Sequence, residues 1–91
     1  MSWNDYKVEI KRTDPVGKEI IEEAEIEAAI ISDMIRQRSA MGLSQRDLAE
    51  MCDIPQSTIG RIETGKITPR LDTLLKILGQ LGLTLRVVRN D

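Results

Sequence analysis

Apolar residues recur along this chain at two different periods, and the change of period divides it. Tyr6-Lys7-Val8-Glu9-Ile10-Lys11 alternates apolar and charged residues, the period of a half-buried strand. So short a strand needs a partner to be stable. Asp14-Pro15 then reads as an N-cap followed by proline in the first helical turn, a start that Gly17 weakens. From Lys18 the spacing becomes three and four: Ile20, Ile21, Ala24, Ala28, Ile31, Ile35 and Arg38 share a face. This stretch predicts either one long helix to about Met41 or two helices broken near Glu25–Ala28, closed by Gly42 at C′. Ser44 caps the next helix, with Asp47 in an acidic variant of the capping box and Leu48, Ala49 and Cys52 inward. Asp53-Ile54 breaks it, and a further helix starts at Pro55 with Ile59 and Ile62 inward and Thr64-Gly65 as its stop. A last helix over Leu71–Leu81 turns Leu74, Leu75, Ile77, Leu78 and Leu81 mostly inward, and Gly82 closes it. Leu83-Thr84-Leu85-Arg86-Val87-Val88 alternates again and predicts a strand.

Composition narrows the class. With 91 residues the chain makes one small domain, with room for an arm. Trp3 and Tyr6 are the two aromatic residues, so the core must be aliphatic. There is no His and a single Cys, Cys52, which removes intrachain disulfides, most zinc sites and Ser–His–Asp or Cys–His catalysis. Gly79-Gln80-Leu81-Gly82 is a helix end and not a phosphate loop. An enzyme is therefore not expected, nor a cofactor or metal. No apolar run approaches the roughly 20 residues that cross a bilayer, and the N-terminus lacks a signal-peptide layout. A cytoplasmic, non-membrane setting is expected.

The net charge of −2 hides an asymmetry. Residues 1–33 carry a net −5 and residues 34–91 a net +3. An acidic arm is joined to a mildly basic domain, which suits a chain with two partners of opposite sign.

The stretch Leu43–Pro69, LSQRDLAEMCDIPQSTIGRIETGKITP, carries the most chemistry. Two short helical patterns joined by a tight break have the layout of a helix-turn-helix, whose second helix enters the major groove of DNA. Helical spacing turns Gln56, Ser57, Thr58, Gly60 and Arg61 outward. Gln56 has the geometry for a bidentate bond to adenine, Arg61 reaches guanine or a phosphate, and Ser57 and Thr58 permit close approach. Gln45, at the start of the preceding helix, would face the phosphate backbone together with the helix amides. Lys66 and Arg70 are candidate phosphate neighbours. Arg46 reads as an ordinary surface charge.

Over Ile30–Leu83 the chain resembles the Cro/repressor-type (XRE-family) helix-turn-helix domain. The markers are Ser44-Gln45, Leu48-Ala49, Ile54, Gln56-Ser57, Ile59, Arg61-Ile62-Glu63, Gly65, Pro69 and the leucine-rich last helix. Asp14-Pro15 before a Glu-rich helix, and LTLRVV after the last one, resemble antitoxins of the HigA type. The terminal strand also resembles that of HipB-type antitoxins, which dimerise and bind a kinase toxin. Three positions depart from the pattern. Asp53 replaces the usual turn glycine, Pro55 replaces a Ser or Thr cap, and Gly60 replaces a larger contact residue.

The resemblance implies an all-α, five-helix domain with an N-terminal arm and a short C-terminal strand. Its parts would be an acidic arm over 1–27, the DNA-binding domain over 28–82 and a dimerisation strand over 83–91. It implies an ion pair between Arg38 and Glu63 that fixes the recognition helix. It implies three partners: double-stranded DNA bearing an inverted repeat, a second copy of the chain joined through Leu83, Leu85 and Val87, and a small basic RelE/HigB-like ribonuclease toxin. The arm's Trp3, Tyr6, Glu22 and Glu23 are the candidate toxin contacts. The alternatives are a stand-alone repressor of phage or plasmid type and a HipB-like antitoxin of a kinase toxin.

Overall fold

A computed structural model describes the backbone of residues 15–89 and the side chains of residues 21–89. The expected strand at Tyr6–Lys11, the Asp14 cap and the aromatic pair Trp3 and Tyr6 lie outside the described residues. The chain divides into two compact units, residues 1–30 and 31–91. The described residues form four helices: α1 Pro15–Ala40, α2 Gln45–Cys52, α3 Gln56–Glu63 and α4 Leu71–Gln80.

The expectation of five helices is corrected to four among the described residues. The choice left open by periodicity falls to a single helix of 26 residues, Pro15–Ala40. Between Lys18 and Ala40 the sequence holds neither glycine nor proline, and its Glu, Ala and Ile residues extend a helix once it is nucleated. Gly42, at φ 71°, then takes the left-handed turn that ends it, and Leu43 N–H closes back on Arg38 O at 3.1 Å. The expected C-terminal strand is likewise absent: no strand occurs among the described residues, and 83–89 run on without a ladder. Strand alternation needs a second edge to hydrogen-bond, and the described part of one chain supplies none.

In the second unit, α2 packs on both α3 and α4. The core is aliphatic. Met34, Leu48, Cys52, Ile59, Ile62, Ile77 and Leu81 are fully buried, with Ala49, Leu74 and Leu78 close behind. Cys52 is a free thiol within this core. Burial pushes its pKa up, against a smaller pull from Lys76, so it packs as a small apolar side chain. Leu75 departs from the expected inward set: it is exposed, as is Leu71 one turn earlier. A ten-residue helix packed against the domain by one side buries a single stripe, and Leu74, Ile77, Leu78 and Leu81 already fill it.

Local chemistry sets the ends of the short helices. Ser44 Oγ accepts from Asp47 N–H at 3.0 Å and Asp47 Oδ2 accepts from Ser44 N–H at 2.8 Å, a complete capping box. The Ser44 backbone N–H, and then its hydroxyl, hold the Asp47 carboxyl below the usual aspartate range. At the other end Asp53 adopts the left-handed conformation, φ 55° and ψ 48°, and Ile54 N–H returns to Ala49 O at 3.0 Å. α3 has no side-chain cap, because Pro55 occupies its N-cap position.

One polar cluster ties the ends of three helices together. Arg38, near the end of α1, grips Glu63, the last residue of α3, as a two-pronged fork: Nε to Oε2 at 2.8 Å and Nη2 to Oε1 at 2.9 Å. Its third nitrogen, Nη1, donates to Leu43 O at 2.8 Å in the loop before α2. The side chains are 14% and 5% exposed, so this is a largely dry pair with its hydrogen bonds filled. Nearby, Gln37 Nε2 donates to Leu81 O at 2.9 Å and anchors the end of α4 to α1.

Met34→Ala empties a fully buried site and should cost about 2–5 kcal/mol in denaturant unfolding. Arg38→Met strands the Glu63 carboxylate in the interior and should cost about 3–5 kcal/mol, with a clear fall in Tm. The exposed Asp33–Arg36 pair is the control, and Arg36→Ala should cost no more than about 1 kcal/mol. An Arg38→Met melting curve identical to the parent's would reject the structural role given to the fork.

Candidate nucleic-acid interface

α3 presents a sharp division of faces. Ile59 and Ile62 are fully buried against the domain, while Gln56, Ser57 and Arg61 are exposed on the opposite side. Thr58 and Gly60, both expected to face outward, are half-buried. Thr58 lies one turn from Ile62 and next to Ile59, which draws it toward the apolar stripe. The open part of α3 is thus the strip of Gln56, Ser57 and Arg61. A helix held by two isoleucines with a polar strip on its far side has the form that major-groove insertion requires.

The basic residues proposed from the sequence as phosphate neighbours differ in their ion pairing. Among the described residues, neither Arg61 nor Lys66 forms an ion pair, and both are exposed. Arg70 is exposed but lies 3.4 Å from Asp72, and Arg46 lies 3.7 Å from Glu50. Both pairs are solvated and screened, so they give way at little cost to a stronger anion. Lys66 follows directly on Gly65, where α3 has ended with φ 77°. Its N–H donates to Arg61 O at 2.9 Å, which fixes the loop beside the last turn of α3.

Gln45 sits differently from its sequence expectation of an open phosphate contact. It is half-buried, and its Nε2 donates to Glu63 Oε1 at 3.0 Å. The carboxylate that Arg38 grips therefore serves α2 as well. No local pattern signals this bond, since its partners are 18 residues apart.

Sequence reasoning also left the outer face of α4 unassigned. Leu71 and Leu75 are exposed there, with Ile67 exposed in the preceding loop, and further on Leu85, Val87 and Val88 are exposed in 83–89. The available signal was an excess of leucines over what one buried stripe needs. At the other end of the described chain, Ile26 on α1 is 58% exposed among Glu23 and Glu27, also exposed, and Glu22, half-buried.

Among the described residues, no cluster of three or more His, Cys, Asp or Glu side chains is placed to hold a metal. Nor is any helix there long and apolar enough to cross a membrane.

Comparison with known proteins gives a consistent result. The helix-turn-helix family model matches residues 34–88. An uncharacterised HTH-type transcriptional regulator of Haemophilus influenzae is 37% identical over 87 residues, covering 96% of this chain and 84% of that protein. The HTH-type transcriptional regulator PuuR of Escherichia coli is 44% identical over 48 residues, but the match spans only 26% of PuuR. Among solved structures, a chain of a toxin–antitoxin module from Streptococcus pneumoniae superposes with a TM-score of 0.78 at 42% identity, covering 99% of this chain and 94% of that one. With its buried Ile59 and Ile62, its open Gln56–Arg61 strip and this matched span, the chain belongs to the XRE-type helix-turn-helix family of DNA-binding transcriptional regulators.

Proposed function

We propose that the chain is an antitoxin that binds its own operator as a dimer and neutralises a small basic ribonuclease toxin of the RelE/HigB kind. The observation that carries this reading is similarity along the whole chain to one chain of a toxin–antitoxin module. That similarity extends beyond the helix-turn-helix match at residues 34–88, as does that to the Haemophilus influenzae regulator. The charge distribution supports it too. The glutamates Glu22, Glu23 and Glu27 lie on the N-terminal part of α1, around the exposed Ile26. A basic ribonuclease surface suits such a face, and opposite charge speeds encounter. Trp3 and Tyr6 belong to the same proposed contact as aromatic anchors.

On the DNA side, Gln56 and Arg61 read base edges or phosphate, Ser57 and Thr58 line the approach, and Gln45, Lys66 and Arg70 hold the backbone. One α3 covers few base pairs, so specific binding requires two copies on an inverted repeat about one helical turn apart. Leu83, Leu85 and Val87 supply the pairing edge, since an unpaired, β-prone segment finds its complement in the same segment of a twofold partner. The exposed Leu71 and Leu75 are further apolar surface that a second copy covers.

The antitoxin reading is tested with the small open reading frame next to the gene. Expressed alone, its product should arrest growth, and co-expression with this chain should restore it. Arrest that persists on co-expression rejects the antitoxin and leaves the stand-alone repressor. For the DNA face, Arg61→Ala should weaken binding to the upstream promoter duplex by about 1–3 kcal/mol and lower the salt slope by about one unit if the contact is to phosphate. Equal affinity for promoter and random duplex in the parent protein would reject sequence-specific recognition. For the dimer, Val87→Asp should give a monomer in sedimentation experiments and a large loss of operator affinity, whereas a parent chain that sediments as a monomer would refute the pairing edge.

A further inference from the structure

At Gly60, half-buried one turn beyond Gln56 and next to Arg61, α3 leaves a gap beside its exposed strip. A side chain from another helix reaches into it. Gln45, the first residue of α2, donates its amide nitrogen to Glu63 Oε1 at 3.0 Å. Its carbonyl oxygen lies 3.5 Å from where a methyl group on residue 60 would sit. Gly60 and Glu63 are three residues apart and so share a face of α3. The Gln45 amide therefore lies along that face, resting on the glycine and held at the glutamate.

This arrangement fixes which way the amide points. A solvated glutamine amide turns over freely and exchanges its donor and acceptor ends. Here the acceptor is a carboxylate already gripped by two nitrogens of Arg38, so only the NH2 end of Gln45 is attracted to it. One N–H is used there. The second N–H remains for another acceptor, and Gln45 is only half-buried. Because Arg38 also holds Leu43 O, the loop leading into α2 is anchored to the same group, which limits how far Gln45 can drift.

We infer that Glu63 is a positioning residue for DNA binding: it orients the Gln45 amide beside Gly60 so that the remaining N–H donates to the duplex alongside α3. The inference rests on α3 being the DNA-facing helix. It assigns Arg38–Glu63 a second role beyond stability, and it makes Gln45 a substitute for the side chain that α3 lacks at residue 60. The acceptor is an oxygen or nitrogen of the nucleic acid, either a phosphate oxygen or a base edge.

The probe is a duplex selected by the unmodified chain from a random library. Gln45→Met keeps length and volume but loses the donor, and it should weaken binding about tenfold at a temperature where both proteins are folded. Glu63→Gln should weaken binding by a similar factor, and the double variant should lose no more than either single one. Additive losses would mean that Glu63 only holds the fold, and would overturn the inference. Should Glu63→Gln fail to fold, the side-chain amide signals of Gln45 in the unmodified protein decide by NMR. One of the two protons should move when duplex is added, and two unmoved protons would overturn the proposal. Duplexes with single methylphosphonate or base-pair replacements then identify the acceptor. The replacement that costs affinity in the parent but not in Gln45→Met marks it, and the absence of any such position again overturns the inference. A parent protein that selects no duplex refutes the DNA-facing role of α3 itself, whereas a parent that binds no better than Gln45→Met refutes only the role of Gln45 and Glu63.

Discussion

The Glu63 carboxylate is the constraint around which the second unit is organised. It ends α3, and it receives hydrogen bonds from the end of α1 through Arg38 and from the start of α2 through Gln45. Arg38 in turn holds the carbonyl of Leu43, in the loop between α1 and α2. A nearly dry carboxylate of this kind is costly to bury and is stabilised only while all its partners are present. The geometry of three helix ends is therefore coupled: moving α3 outward strands a charge. That coupling suits a helix that must hold its polar strip at a fixed height above the domain. The two isoleucines supply adhesion without direction, and the ion pair supplies direction.

The departures at the turn show how a short motif tolerates unusual residues. Asp53 takes a left-handed conformation that glycine would adopt more easily, yet the Ile54 N–H to Ala49 O bond is still made. Pro55 gives α3 no side-chain cap, but its fixed φ of −58° is already suited to the entry of a helix. The Ser44–Asp47 box makes α2 locally well terminated, so α3 depends more heavily on burial and on the Glu63 cluster.

Charge and apolar surface follow separate plans. Arg61 and Lys66, on and just beyond α3, form no ion pair among the described residues, whereas Arg46 sits beside Glu50 on α2 and Arg70, just before α4, sits beside Asp72. Exposed aliphatic side chains lie elsewhere, at Leu71 and Leu75 on α4 and at Leu85, Val87 and Val88 beyond it. The exposed aliphatic side chains and the polar strip of Gln56, Ser57 and Arg61 thus occupy different segments of the described chain.

Sequence by itself determined what depends on neighbours a few residues away. The capping box at Ser44, the glycine stops at Gly42, Gly65 and Gly82, and the inward faces bearing Leu48, Ile59, Ile62, Leu74 and Ile77 were all legible, because caps and periodicity are local. The pattern also set apart Gln56, Ser57 and Arg61 as outward-facing. Tertiary structure alone decided the remainder. Whether residues 18–41 form one helix or two depended on a balance that no single residue signals. Leu75 faces solvent because the stripe beside it had already filled the contact with the domain. Leu83–Val88 forms no ladder because alternation describes a strand's faces and cannot provide its partner. Gln45 turned to Glu63, away from an open contact, because the Arg38 fork places a carboxylate within its reach, and only the folded arrangement of three helix ends brings those groups together.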